Sequence, residues 1–200
     1  MTLRKYSDWL DDNERQKMLD EHIKRSGTAW FGGEPMAAAE KEKAVEAHFT
    51  KVAPTYDFMN TVMSFGIHYA WKRRAVRMLD IKPGQRVIDV CGGTGDLAVL
   101  CGRRVKSSSE VVLYDMNHAM MQAGRRRPEN AALGDRIDYV QGDAEAIAFA
   151  DNRFDAAMVG FGIRNLTHLK RGFSEMYRVL RPGGRVMCLE PSTRWPLRRK

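Results

Sequence analysis

The chain has 200 residues, 44% hydrophobic and 29% charged, which suits one soluble domain with a sizeable core; no apolar run approaches the length of a membrane span. Its three cysteines, Cys91, Cys101 and Cys188, show no CxxC or zinc spacing, so the default is a reducing compartment without structural disulfides. The formal net charge of +8 sits in residues 51–200, with twenty-five basic and fifteen acidic side chains, against eight and ten in residues 1–50. A basic body fits nucleic acid or an anionic membrane surface. The first residues lack an apolar leader core, and the expected location is the cytoplasm, at most peripheral to the inner face of a membrane.

In chain order, residues 1–30 are mixed in charge and helix-permissive, and read as a peripheral helix or arm that Phe31–Pro35 links to the rest. Residues 1–35 therefore form one unit. A helix starts near Ala37, where Val45, His48, Phe49 and Val52 recur at helical spacing, which makes His48 a packed residue rather than a ligand. Val52–Trp71 is rich in methionine and aromatic residues, and is either ordinary core or a lid over an apolar substrate. It carries Tyr56, Asp57, Asn60 and His68. Lys72–Leu79 continues as a helix with Ala75, Val76 and Leu79 facing inward, so residues 36–80 make a helical unit. From Pro83 strands alternate with helices. The strands are Val87–Val90, Val111–Asp115, Ile137–Val140, Phe154–Val159 and Arg185–Leu189, the last preceded by a turn at Arg181–Gly184. This alternation predicts an α/β fold with a doubly wound parallel sheet over residues 81–200, and ligands at the C-terminal strand ends.

The first strand runs into Gly92, Gly93, Thr94 and Gly95 and then a helix start, a backbone cradle for a nucleotide. Gly93–Ala98 also satisfies the dinucleotide pattern, with Asp115 at roughly the expected twenty-residue spacing. Asp89 and Asp96, however, put two carboxylates where a pyrophosphate would lie. A cofactor with a cationic amino-acid portion welcomes both acids, and S-adenosylmethionine is such a cofactor. The stretch resembles the first motif of the class I methyltransferases, and a nicotinamide dehydrogenase ranks lower.

Over roughly residues 30–192 the chain resembles the ubiquinone/menaquinone biosynthesis C-methyltransferase family. The segments that carry the resemblance include YDFMNTVMSFGIHYAWKR at 56–73, VIDVCGGTGDL at 87–97, YDMNHAMM at 114–121, FGIRNL at 161–166 and YRVLRPGGRV at 177–186. It implies a Rossmann-like class I fold with N-terminal helices. It also implies S-adenosyl-L-methionine as cofactor, with Asp89, Gly92, Gly93, Thr94 and Gly95 around its methionine part. Asp115 with Met116 is implied at the ribose, and Asp143 with Ala144 at the adenine. Gly160 stands where the family often has serine, and Pro191 where an aromatic residue is common. Relatives continue for tens of residues, which implies that the C-terminal part of the sheet is incomplete here.

The implied reaction is C-methylation of a polyprenylated quinol ring, most simply demethylmenaquinol to menaquinol. Arg164 is expected to stabilise the phenolate or to orient a water that takes the proton, with Asn165 beside it and His68 as a candidate base. Tyr56, Asp57 and Asn60 are candidates for the substrate side. A membrane-dissolved substrate explains an apolar lid and a basic face, and a homodimer is compatible with both. The alternatives are a non-catalytic cofactor-fold subunit, or a methyltransferase acting on RNA or another small molecule. No aromatic-and-basic nucleic-acid motif supports RNA.

Overall fold

The computed structural model describes residues 28–31, 34–105 and 110–191; the expected arm at 1–27 and the end of the chain from 192 lie outside the described residues. Strand β1 (Thr28–Phe31) pairs antiparallel with β2 (Glu34–Ala37), so the stretch expected as a linker is instead a hairpin. Three helices follow, α1 (Ala38–Val52), α2 (Tyr56–Met63) and α3 (Ile67–Leu79). The sheet then alternates with helices: β3 (Arg86–Val90), α4 (Asp96–Arg104), β4 (Glu110–Asp115), α5 (His118–Arg125), the single turn α6 (Pro128–Ala131), β5 (Ile137–Gln141), β6 (Phe154–Gly160), α7 (Leu169–Val179) and β7 (Leu180–Leu189).

The five strands of this sheet are all parallel, in the order β5-β4-β3-β6-β7. Parallel strands buried on both faces need near-continuous apolar runs, and β3, β4 and β6 supply them with only Asp89 in β3 and Asp155 in β6 interrupting the buried stretches. Successive side chains go to opposite faces. Val87, Val111, Leu113, Ala156 and Met158 join α3, α4 and α5 in one core. Ile88, Val90, Val112, Tyr114, Ala157 and Val159 join α7 in the other. Fully burying residues of the size of Ile88 or Leu113 contributes about 1.5–3 kcal/mol each.

Two details sharpen the sequence reading. Residues 181–184 loop out of β7, because Phe154 pairs with Leu180 while Ala156 pairs with Arg185; Gly183 takes φ +80 in that excursion. In the expected lid, Val76 and Leu79 of α3 belong to the core, whereas α2 buries none of its residues. The lid is thus anchored by α3 and open along α2.

The strand order reverses between β3 and β6. From β3 the strand order proceeds outward to β4 and β5, and from β6 to β7 on the other side. That switch point is where an open α/β sheet leaves a crevice for ligands.

Candidate functional site

A cavity lies at the switch point, lined by the C-terminal ends of β3, β4 and β6. Asp115 ends β4. One of its carboxylate oxygens accepts the Gly93 N–H at 2.8 Å and the other the Asn117 N–H at 2.7 Å. Burial pushes its pKa up against these two hydrogen bonds. Each oxygen keeps a second lone pair, so the carboxylate can still meet two neighbouring hydroxyls. Asp143 and Ala144 lie across the cavity after β5, and Met116 and Gly160 complete the expected residues of its wall. Phe49 of α1 and Tyr56 of α2 close it from the helical side, with ring centroids 5.9 Å apart.

A second, smaller cavity shares Tyr56, Cys91, Gly93, Gly160 and Phe161 with the first, and adds Lys72, Asp89, Gly92, Thr94, Asp96 and Leu97. The loop between β3 and α4 is wound tightly enough that Cys91, Gly93 and Gly95 take φ values of +54, +55 and +89. Asp89 lies beneath this loop, 1% exposed. Its Oδ2 accepts the Ala98 N–H at 3.0 Å, while Oδ1 is buried without a hydrogen-bond partner. Burial pushes its pKa up to about 8 against the hydrogen bond from Ala98.

Around the loop runs a network the sequence did not announce. Arg127 reaches Asp57 Oδ2 at 3.0 Å, Asp96 Oδ1 at 2.7 Å and Glu129 Oε1 at 2.5 Å. The Thr94 hydroxyl donates to Asp57 Oδ1 at 2.8 Å, and Lys72 donates to Asp96 Oδ2 at 2.6 Å. Burial alone would push the Asp96 carboxyl up, but Lys72 and Arg127 outweigh it and hold the group below the usual carboxylate range. The network fastens α2 and α3 to the glycine loop. On the other side, the Asn117 amide caps α5 and donates to the Glu46 carbonyl and the Thr50 hydroxyl, fastening α1.

The structure thus gathers Tyr56, the glycine loop with Thr94, and Asp89, Asp115, Met116, Asp143, Ala144, Gly160 and Asn165 around two joined cavities. Asp57 faces Thr94 and Arg127 rather than either cavity. Asn60 is outside both linings, and its carbonyl accepts the Ser64 hydroxyl at 2.7 Å. His68 is also outside them. It is 4% exposed, its Nδ1 lies 2.6 Å from Ser64 Oγ, and its ring lies against Tyr69 with centroids 3.9 Å apart. Burial and nearby Lys72 lower its pKa. Arg164 also lies outside both linings, next to Asn165 on the turn Ile163–Asn165, with a side chain 58% exposed and Nη1 3.8 Å from Glu190 Oε2. Lys72 and Arg127 are the residues missed. Extending the inward stripe Ala75, Val76, Leu79 back by one turn lands on Lys72, so its direction at least was readable.

A family model described as the ubiE/COQ5 methyltransferase family matches residues 36–197. The chain belongs to that family. Its enzyme class is therefore S-adenosylmethionine-dependent C-methyltransferase, and its cofactor S-adenosyl-L-methionine. The ubiquinone/menaquinone biosynthesis C-methyltransferase UbiE of Stenotrophomonas maltophilia (strain K279a) is 47% identical over 172 residues, 86% of this chain and 68% of that protein. The protein of the same name from Hydrogenovibrio crunogenus is 44% identical over 173 residues, with the same shares. The chain thus spans about two thirds of the length of these curated relatives.

Solved structures agree on the fold. A candidate S-adenosyl-L-methionine-dependent methyltransferase of Methanococcus maripaludis superposes with a TM-score of 0.59 at 24% identity, covering 70% of this chain and 62% of that one. A candidate methyltransferase of Bacillus halodurans gives 0.53 at 28% identity, covering 58% and 49%.

The residues present fit the family's cofactor. A Cβ on Gly93 would come within 3.3 Å of the Met120 methyl, and its φ of +55 also favours glycine there. The orphaned Asp89 oxygen and the Asp115 lone pairs are acceptors suited to an ammonium and to ribose hydroxyls.

Proposed function

We propose that this chain methylates a ring carbon of a polyprenylated quinol, most simply converting demethylmenaquinol to menaquinol. The observation that carries the reading is the position of Arg164. It lies on the turn after β6, next in sequence to the cavity-lining Asn165, and its guanidinium is exposed. When bound, S-adenosylmethionine supplies a methyl group activated by its sulfonium.

The chain's own residues have the remaining tasks. A ring carbon is nucleophilic enough only when a ring hydroxyl has lost its proton. A guanidinium that stays charged beside the phenol oxygen lowers its pKa and stabilises the phenolate. Asn165 can orient that oxygen through its amide, and Tyr56 and Phe49 exclude water from the ring. Asp115 holds the ribose, and Asp143 with the Ala144 N–H holds the adenine. With methyl-labelled S-adenosylmethionine, Arg164→Met is expected to lower turnover about 100-fold or more with cofactor affinity unchanged. Unchanged turnover would remove Arg164 from the mechanism.

We place the entrance for the prenyl tail along α2 and the start of α3. Phe58, Met63 and Phe65 are 72%, 78% and 91% exposed, and Val62, Ile67 and Trp71 are exposed beside them. No acidic residue occurs between Phe58 and Leu79, while Arg73, Arg74 and Arg77 are exposed on α3. An apolar ridge edged with arginines suits peripheral contact with an anionic bilayer. No helix among the described residues is long and apolar enough to cross one. Sedimentation with anionic vesicles is expected to show binding that weakens with salt and with Phe65→Ser. Binding indifferent to lipid charge, salt and Phe65 would contradict the placement.

A further inference from the structure

The methionine end of S-adenosylmethionine carries an ammonium and a carboxylate, and the acids around the glycine loop account only for the ammonium. The carboxylate needs a cation or a cluster of N–H donors. Lys72 is a buried cation at the second cavity. It is 7% exposed, enters from α3 on the same inward stripe as Ala75, Val76 and Leu79, and lines the cavity opposite Gly92 and Gly93. Its ammonium lies 5.5 Å from the centre of the Phe161 ring, which lines both cavities.

A purely structural ion pair would use Lys72 to neutralise Asp96. Asp96, however, is held twice, by Lys72 at Oδ2 and by Arg127 at Oδ1. Arg127 therefore leaves Asp96 compensated when Lys72 shares its charge with a second anion. A lysine ammonium has three donors, and the hydrogen bond to Asp96 engages one. Both cavities meet at Gly93 and Gly160, so a ligand with its adenosine in the larger one puts its amino-acid tail into the smaller.

The geometry points to Lys72 as the residue that binds the cofactor's α-carboxylate, making helix α3 of the lid part of the cofactor site. This inference rests on the S-adenosylmethionine reading of the cavities and adds to it a residue from outside the sheet domain. The charge-assisted hydrogen bond sets the expected size, about 10- to 100-fold in affinity.

The test is calorimetry of the full chain with S-adenosylmethionine and with decarboxylated S-adenosylmethionine, which keeps the sulfonium and ammonium but lacks the carboxylate. Wild type is expected to prefer the intact cofactor. Lys72→Met is expected to bind it about 10- to 100-fold more weakly and to bind the decarboxylated ligand within about threefold of wild type, which also reports that the adenosine site is folded. Equal losses for both ligands would make Lys72 a structural pair for Asp96 and overturn the inference, as would no change for either. Lys72→Arg, tested beside it, is expected to keep the preference; a variant that binds both ligands without preference would overturn a charge-based role. Wild type binding neither ligand would overturn the cofactor reading of this chain itself, a different failure.

Discussion

Asp115→Ala is expected to weaken S-adenosylmethionine binding by about 100-fold or more. The carboxylate has two jobs that one substitution removes together. It offers two charge-assisted acceptors to the ribose hydroxyls, each contributing about 1.5–3 kcal/mol. It also holds the Gly93 and Asn117 N–H groups, at 2.8 and 2.7 Å, and so sets the distance between the glycine loop and the start of α5. Asp115→Asn separates the two jobs. One amide oxygen can keep one backbone contact, so the loop is expected to hold while affinity still falls roughly tenfold. Titration calorimetry with thermal melts on both variants checks this. Full affinity in Asp115→Ala would move the ribose elsewhere.

The largest expected stability effect belongs to Gly124→Ala, a change of one methyl group on α5. A Cβ there would meet the Thr94 carbonyl oxygen and come within 2.7 and 2.8 Å of the Thr94 carbonyl carbon and Cα. These are backbone atoms, with no flexible end to swing aside. Either α5 or the glycine loop must shift, at a cost of about 3 kcal/mol. For a chain of this size that lowers Tm by about 10 °C. Because the yielding element carries the cofactor, affinity is expected to fall with stability. Gly134→Ala is the control: a Cβ there meets nothing within 4 Å, and only its φ of +52 opposes the change. It is expected to cost about 1 kcal/mol and leave affinity unaltered. Gly124→Ala melting like wild type would show that α5 does not press on the loop.

These expectations depend on features of unequal legibility. The parallel sheet is readable because a strand buried on both faces is largely apolar, as Val111–Tyr114 is and as Val87–Val90 is but for Asp89. The β1–β2 hairpin was passed over as a linker, although two short runs flanking Gly32-Gly33 are a hairpin signal; Glu34 and Pro35 made the second run look like a turn. Asp115, Asp143 and Ala144, which the family resemblance implies, come together at the cavity wall because the sheet fixes its strand ends. Arg127 was not, because it closes the run Arg125-Arg126-Arg127 and basic runs usually face solvent. Its burial against Asp57 and Asp96 joins it to residues 70 and 31 positions earlier in the chain, which no local pattern records. His68 and Asp57 had the right chemistry in the right motif, but the α2–α3 hairpin turned one toward Ser64 and the other toward Thr94.

The most direct measurement incubates this 200-residue chain with methyl-labelled S-adenosylmethionine and a reduced, prenylated demethylmenaquinol, and locates the label in the product. The account predicts one labelled methyl on a ring carbon, with Arg164→Met at about a hundredth of the rate. A folded, cofactor-bound chain that leaves the quinol unlabelled, or labels its hydroxyl oxygen, would contradict it.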